Sequence, residues 1–205
     1  FETCFRRGAI RTFHGKITGG CAKILEPDHP HSLMSVNNLA NTLSETNRLG
    51  EAQTCYERAL DGYSKTLGEG HPYTLISLQN LANLKRANGL LDQAERDYRQ
   101  ALQGWESVYS SDHPYTLGAV SSLGSLLNQL GRFRDAANLL SKYVGTSKRG
   151  MESLCYNLAC YECLDGNLEE AKRLISKHLS LHPDEKDQAL QDSDLGAIRV
   201  FIETL

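Results

Sequence analysis

Four residues toward the C-terminal end have the types and spacing of a zinc site. Cys160 and Cys163 precede His178 and His182, with 14 residues between the second cysteine and the first histidine. Thiolate and imidazole donors complete a tetrahedron around zinc only when all four come within about 2.0–2.3 Å of one point. A second set of titratable groups, His29, His71 and His113, recurs with a proline after each. Imidazole titrates near neutral pH and is suited to acid–base work, but these three stand 42 residues apart. The sequence shows no Gly-rich phosphate loop, paired catalytic carboxylates or Ser-His-Asp arrangement beside them. No enzymatic activity is expected, no cofactor is implied, and the histidines are expected to cap or pack.

The histidine spacing belongs to a longer pattern. Leu33, Leu75 and Leu117 keep the same interval of 42, as do Leu39, Leu81 and Leu123. Small residues follow at Ala40, Ala82 and Gly124, and again at Ala52, Ala94 and Ala136. A fourth repeat shows as Leu158-Ala159, Gly166 and Ala171, each 35 residues after its counterpart in the third. Within each repeat the apolar residues fall at helical spacing on two segments, so each reads as two helices. Asp28 and Asp112 are expected to N-cap the first helices, with Pro30 and Pro114 in the first turn. Asn47, Gly89, Gly131 and Gly166 are expected to end them in the left-handed conformation. Alanines at the crossing let two antiparallel helices approach to about 8–10 Å, and such pairs must stack to bury their apolar faces.

The expected fold is therefore all-α: a right-handed α-solenoid of antiparallel helix pairs with a C-terminal capping helix. Four pairs are assigned to about 28–69, 70–111, 112–148 and 151–183, inside a region 28–183. This layout also argues against zinc. Counted outward from the Gly166 turn, the cysteines lie opposite about residues 170–174, and His178 and His182 fall one to two turns farther along.

Charge excludes further roles. The net charge of −3 divides into +3 over residues 1–27, −4 over residues 184–205 and −2 between. Beyond the N-terminal tail no basic stripe exists to neutralise phosphates or anionic headgroups, so neither nucleic acid nor a membrane is expected as partner. No apolar run approaches the ~18 residues of a spanning helix, and no secretory leader is evident. Six cysteines, at 4, 21, 55, 155, 160 and 163, read as reduced thiols of a cytoplasmic helical protein. A chain beginning at Phe1 reads as a fragment or a processed product.

The segments Gly70-His71-Pro72-Tyr73-Thr74-Leu75, Asn37-Asn38-Leu39-Ala40 and Glu51-Ala52 with Tyr56, Arg58, Ala59 and Leu60 resemble the 42-residue tetratricopeptide repeats of kinesin light chains. The resemblance covers about residues 20–145, and the fourth repeat is similar to the ordinary tetratricopeptide of about 34 residues. It implies that the first helix of every pair lines a concave groove. The groove residues so implied are Met34, Asn37, Asn38, Asn41, Ser44 and Glu45, then Ile76, Gln79, Asn80, Asn83, Arg86 and Ala87. The third repeat adds Ser121, Ser122, Ser125, Asn128 and Gln129, and the fourth Tyr156, Asn157, Cys160 and Cys163. Asn38, Asn80 and Asn157 share one register, and a row of amides can hold an extended peptide backbone through its own donors and acceptors. Kinesin light chains are known for basic grooves that take acidic peptides. Here Arg86 is the only clear groove cation and Glu45 opposes it, so the ligand is expected to be a protein or peptide of open class.

Residues 1–27 are expected to form a degenerate half-repeat or an irregular segment, since Gly8, Gly15, Gly19 and Gly20 disfavour a helix. Residues 184–205 are expected to cap the last pair, with Leu195, Ile198, Phe201 and Ile202 at helical spacing, Asp194 or Asp192 as N-cap and the acids facing water. The leading function is an interaction scaffold. The alternatives are a sensor array of a larger signalling protein driven by a nucleotide switch, and a module that self-associates through its terminal segments.

Overall fold

The computed structural model describes residues 28–145 and 148–205; the segment expected as a half-repeat at 1–27 lies outside them. The chain divides into two compact units, Phe1–Leu84 and Lys85–Leu205. Among the described residues every regular element is helical.

In the first unit, α1 (Pro30–Glu45) and α2 (Leu49–Leu67) pack together, and α3 (Pro72–Ala87) contributes all but its last three residues. The start of α1 differs from expectation in its cap. His29, not Asp28, is the N-cap, and its Nδ1 accepts the backbone N–H of His31 at 3.2 Å. The reason is steric: proline at the first helical position has no N–H, so the next amide needs an acceptor two residues back, one position beyond Asp28. Asp28 instead pairs with Arg58 at 2.6 Å. His71 caps α3 in the same way, accepting from Tyr73 N–H at 3.2 Å. Asn47, at φ 59, makes the turn between α1 and α2. Ala40 and Ala52 are wholly buried at the helix crossing, flanked by Leu43, Tyr56, Leu81 and Leu84. Gly62 also earns its place, because a Cβ there would stand 2.5 Å from Leu33 Cδ2.

In the second unit, α4 (Leu91–Val108), α5 (Pro114–Gln129), α6 (Phe133–Val144), α7 (Lys148–Leu164) and α8 (Leu168–Leu181) pack each against the next. His113 is again the cap, accepting from Tyr115 N–H at 3.3 Å, while Asp112 accepts from Ser110 Oγ. Trp105 is fully buried, with its ring 4.8 Å from that of Tyr115. Helix α7 begins at Lys148, ahead of the start at about residue 151 expected for the fourth pair.

The closing stretch differs most from expectation. Instead of one capping helix it runs through a 3-10 turn (Pro183–Glu185), α9 (Lys186–Gln191), a second 3-10 segment (Ser193–Ile198) and α10 (Arg199–Glu203). Asp192 breaks it in an extended conformation, and its side chain accepts from Asp194 N–H at 2.9 Å. Short Asp side chains bind nearby backbone amides in this way and compete with continued helix. Ala189, Leu195, Ile198 and Ile202 are nevertheless buried, so hydrophobic docking holds the stretch in place.

Candidate binding face

The residues assigned to the groove separate into those that hold helices together and those that remain on the surface. In the first unit Asn37 is buried, and its Oδ1 accepts from Ser77 Oγ at 3.2 Å, fastening α1 to α3. Asn41 is half-buried, and its Oδ1 accepts from the Tyr56 hydroxyl at 2.6 Å, fastening α1 to α2. Burial pushes the Tyr56 hydroxyl up, with Glu45 adding to it, so the phenol stays protonated as that donor. Asn38 and Asn83 are exposed, and Gln79 and Asn80 are half-buried. Met34 is exposed and Ile76 half-buried beside these amides, giving the α1 and α3 faces an apolar component.

In the second unit nearly every groove residue has found a partner. Arg86, at the end of α3, donates from Nη1 to Ser125 Oγ at 3.1 Å and also hydrogen-bonds Tyr98. Lys85 is spent on Asp97, both side chains largely buried. Ser122 donates to Gly118 O at 3.0 Å within its own helix. Asn157 donates from Nδ2 to Ser121 Oγ at 3.3 Å, tying α7 to α5.

The remaining two positions meet the chain's own closing stretch. The Tyr156 hydroxyl donates to Asp192 Oδ2 at 2.8 Å, and Asn128 Nδ2 donates to Asp194 Oδ2 at 3.4 Å. Cys160 Sγ points at the same Asp192 oxygen at 3.8 Å, and the backbone N–H groups of Ala197 and Ile198 face Cys163. The acids of this stretch, expected to face water, are thus turned inward at Asp192 and Asp194. Their placement follows from the break at Asp192, which directs the next residues onto α7. Burial, and then the Asp192 carboxylate, drive the Cys160 thiol and the Tyr156 hydroxyl well above their ordinary ranges. Tyr161 is pushed up to about 12, by burial first and then by Cys160 and Asp194, with Arg86 acting in the opposite direction.

The zinc-like spacing comes apart in three dimensions. The two cysteines meet residues 192–198, whereas His178 Nε2 lies 2.8 Å from Glu185 Oε2 and its ring packs against His182. Among the described residues no group of three or more His, Cys, Asp or Glu side chains is placed to hold a metal ion. No described helix is long and apolar enough to cross a membrane. Sequence reasoning offered Asp192 and Asp194 as helix caps, which Asp192 is, but missed their contacts with Tyr156 and Asn128. The signal available was the Asp-Ser-Asp-Leu run itself, whose destination no periodicity reveals.

A profile described as Tetratricopeptide repeat matches residues 31–89 and 73–148. No curated protein matches the chain. Among solved structures, a putative kinesin light chain from Podosopora anserina with nearly identical TPR-like repeats aligns at a TM-score of 0.71 and 23% identity, covering 86% of this chain and 89% of that one. BtubC (BKLC) from P. vanneervenii aligns at 0.71 and 16% identity, covering 87% and 73%. YrrB, a TPR protein with an unusual peptide-binding site, aligns at 0.59 and 18% identity, covering 93% and 85%. At these identities the likeness is one of fold.

Proposed function

The chain belongs to the tetratricopeptide repeat family, and from that premise we propose that it is an interaction scaffold that holds an extended peptide of a partner protein against α1 and α3. Proteins of this family generally mediate protein–protein interaction, and a peptide-binding member shares the fold. The carrying observation is the division of labour among the amides of the first unit. Asn37 and Asn41 are consumed in fastening helices, while Asn38 and Asn80 keep surface in the same repeated register. An amide offers both donor and acceptor, so it can satisfy peptide N–H and C=O groups whatever the side-chain sequence. Met34 and Ile76 supply the apolar area that such a contact needs beside its hydrogen bonds. The mode is noncovalent recognition, and a cytoplasmic setting belongs to the same proposal.

The test is affinity capture with the wild-type chain beside an Asn38→Ala/Asn80→Ala variant, with folding followed by circular dichroism. Partners lost from a folded variant support the reading. Capture of the same partners at equal yield overturns it.

A further inference from the structure

We propose that His29, His71 and His113 are a pH-sensitive latch. As neutral rings they hold the first turns of α1, α3 and α5 closed, and protonation at mildly acid pH releases those turns.

The geometry fixes which form of the ring can do this. In each case Nδ1 accepts the backbone N–H two residues on, of His31 at 3.2 Å, Tyr73 at 3.2 Å and Tyr115 at 3.3 Å. A backbone N–H can only donate, so Nδ1 carries a lone pair and the neutral ring holds its one hydrogen on Nε2. Protonation adds a hydrogen at Nδ1 and sets two donors face to face. The same histidines close the turn through the main chain, their carbonyls accepting from Leu33, Leu75 and Leu117 at 3.1, 3.1 and 3.0 Å. A positive charge there also opposes the dipole of the helix it caps.

The surroundings give the charged ring somewhere else to go. Asp28, Glu69 and Asp112 stand one or two residues before the three histidines. Asp28 is paired with Arg58 of α2, and Asp112 accepts from Ser110. The other neighbours are rings. His31 lies 5.4 Å from His29, Tyr73 lies 5.3 Å from His71, and Tyr109 stacks on His113 at 3.9 Å with Tyr115 at 5.3 Å. Tyr63 of α2 and Trp105 of α4 back these tyrosines. Phenols do not ionise near neutral pH, so the histidines and the carboxylates beside them decide the response.

The choice of residue carries the argument further. Asn, Ser and Asp are the preferred N-caps, and none of them changes charge between about pH 5.5 and 7.5. Histidine fills the position in three repeats and is half-buried each time, within reach of solvent protons. Nor does a His-Pro pair cap automatically: His182-Pro183 opens only a 3-10 turn, and the His182 side chain makes no cap bond. The unfolded chain takes up protons that the capped chain excludes. Stability is therefore fullest above the histidine range and is lost as pH falls through it. His178 works in the opposite sense, since protonation strengthens its pair with Glu185 at 2.8 Å, so variants must separate the two.

The experiment compares the full chain at about pH 7.5 and 5.5, across the ordinary histidine range. Nitrogen NMR should show the Nε2–H tautomer at the three rings at the higher pH. Hydrogen-exchange protection of the His31, Tyr73 and Tyr115 amides, corrected for intrinsic rates, should fall about fivefold at the lower pH, the ratio expected for a lost cap. The start of α8, whose N-cap Asn167 makes no side-chain cap bond, should not change. H29N/H71N/H113N should remove the three local responses and most of the acid-induced drop in urea midpoint. Should that variant fail to fold, H113N alone should silence residue 115 and leave Tyr73 responding. Nδ1–H tautomers, protection indifferent to pH, or a folded asparagine variant that keeps the wild-type response would each overturn the proposal.

Discussion

The helix faces of the two units hold the same register positions and have different fates. On α1 and α3 of the first unit, Asn38 is exposed and Asn80 half-buried. On α7 of the second, Asn157 holds that same register and is bonded to Ser121; at the neighbouring register the units agree, since Tyr156 is bonded to the chain's own Asp192 as Asn37 is to Ser77. A repeat guarantees where a side chain is presented. What it binds is decided by whatever the rest of the chain lays opposite it.

The largest effect that can break this contrast comes from removing the apolar anchor of the closing stretch. Leu195 is wholly buried, and Leu→Ala at such a site costs about 2–5 kcal/mol. Leu195→Ala should therefore raise hydrogen exchange at the amides of 195–203 by about thirtyfold or more, with rates in α1 and α2 unchanged. An equal rise in both units would mean that the faces do not differ for the reason given. The next effect lies inside the first unit. Asn37→Ala strands the Ser77 hydroxyl, which is also buried, and should lower stability by about 1–2 kcal/mol in urea unfolding. An unchanged midpoint would show that Ser77 had another acceptor in reserve.

A smaller effect tests what the two units share. His71 and His113 each accept the N–H two residues on, and loss of a cap costs about 1 kcal/mol. Alanine at either position should give the same modest drop in unfolding midpoint, and asparagine, an effective N-cap, should recover most of it. A loss at one site only would show that the caps are not equivalent. These caps also mark how far the sequence could be read. The repeat, the helix pairs and the turns at Asn47, Gly89, Gly131 and Gly166 were legible because periodic burial and positive φ leave residue-type signatures. Which of Asp28 and His29 caps α1 was not, since both are acceptors and only the geometry of the proline turn separates them. The inward turn of Asp192 and Asp194 was hidden for another reason: it is a long-range contact, made once, with no second copy to reveal it as a pattern. Asn37 and Asn38 show the same limit at closer range, because adjacent identical residues differ only in what their helix face meets.

That adjacency gives the smallest and most discriminating stability effect. Asn38 is exposed on the surface of α1, where substitutions usually stay within about 0.5 kcal/mol. Alanine is also the better helix former by roughly half a kcal/mol, so Asn38→Ala should leave the unfolding midpoint unchanged or slightly raised. If the exposed amide serves a ligand, the same substitution should weaken partner capture while Asn37→Ala lowers stability. The two neighbours would then separate binding from folding within one helical turn. A stability loss at Asn38 matching that at Asn37 would place both in the scaffold. Unchanged stability together with unchanged capture would reduce the exposed amide to a hydrated surface group, and the face of α1 and α3 would then resemble that of α5 and α7 in having no vacancy for a partner.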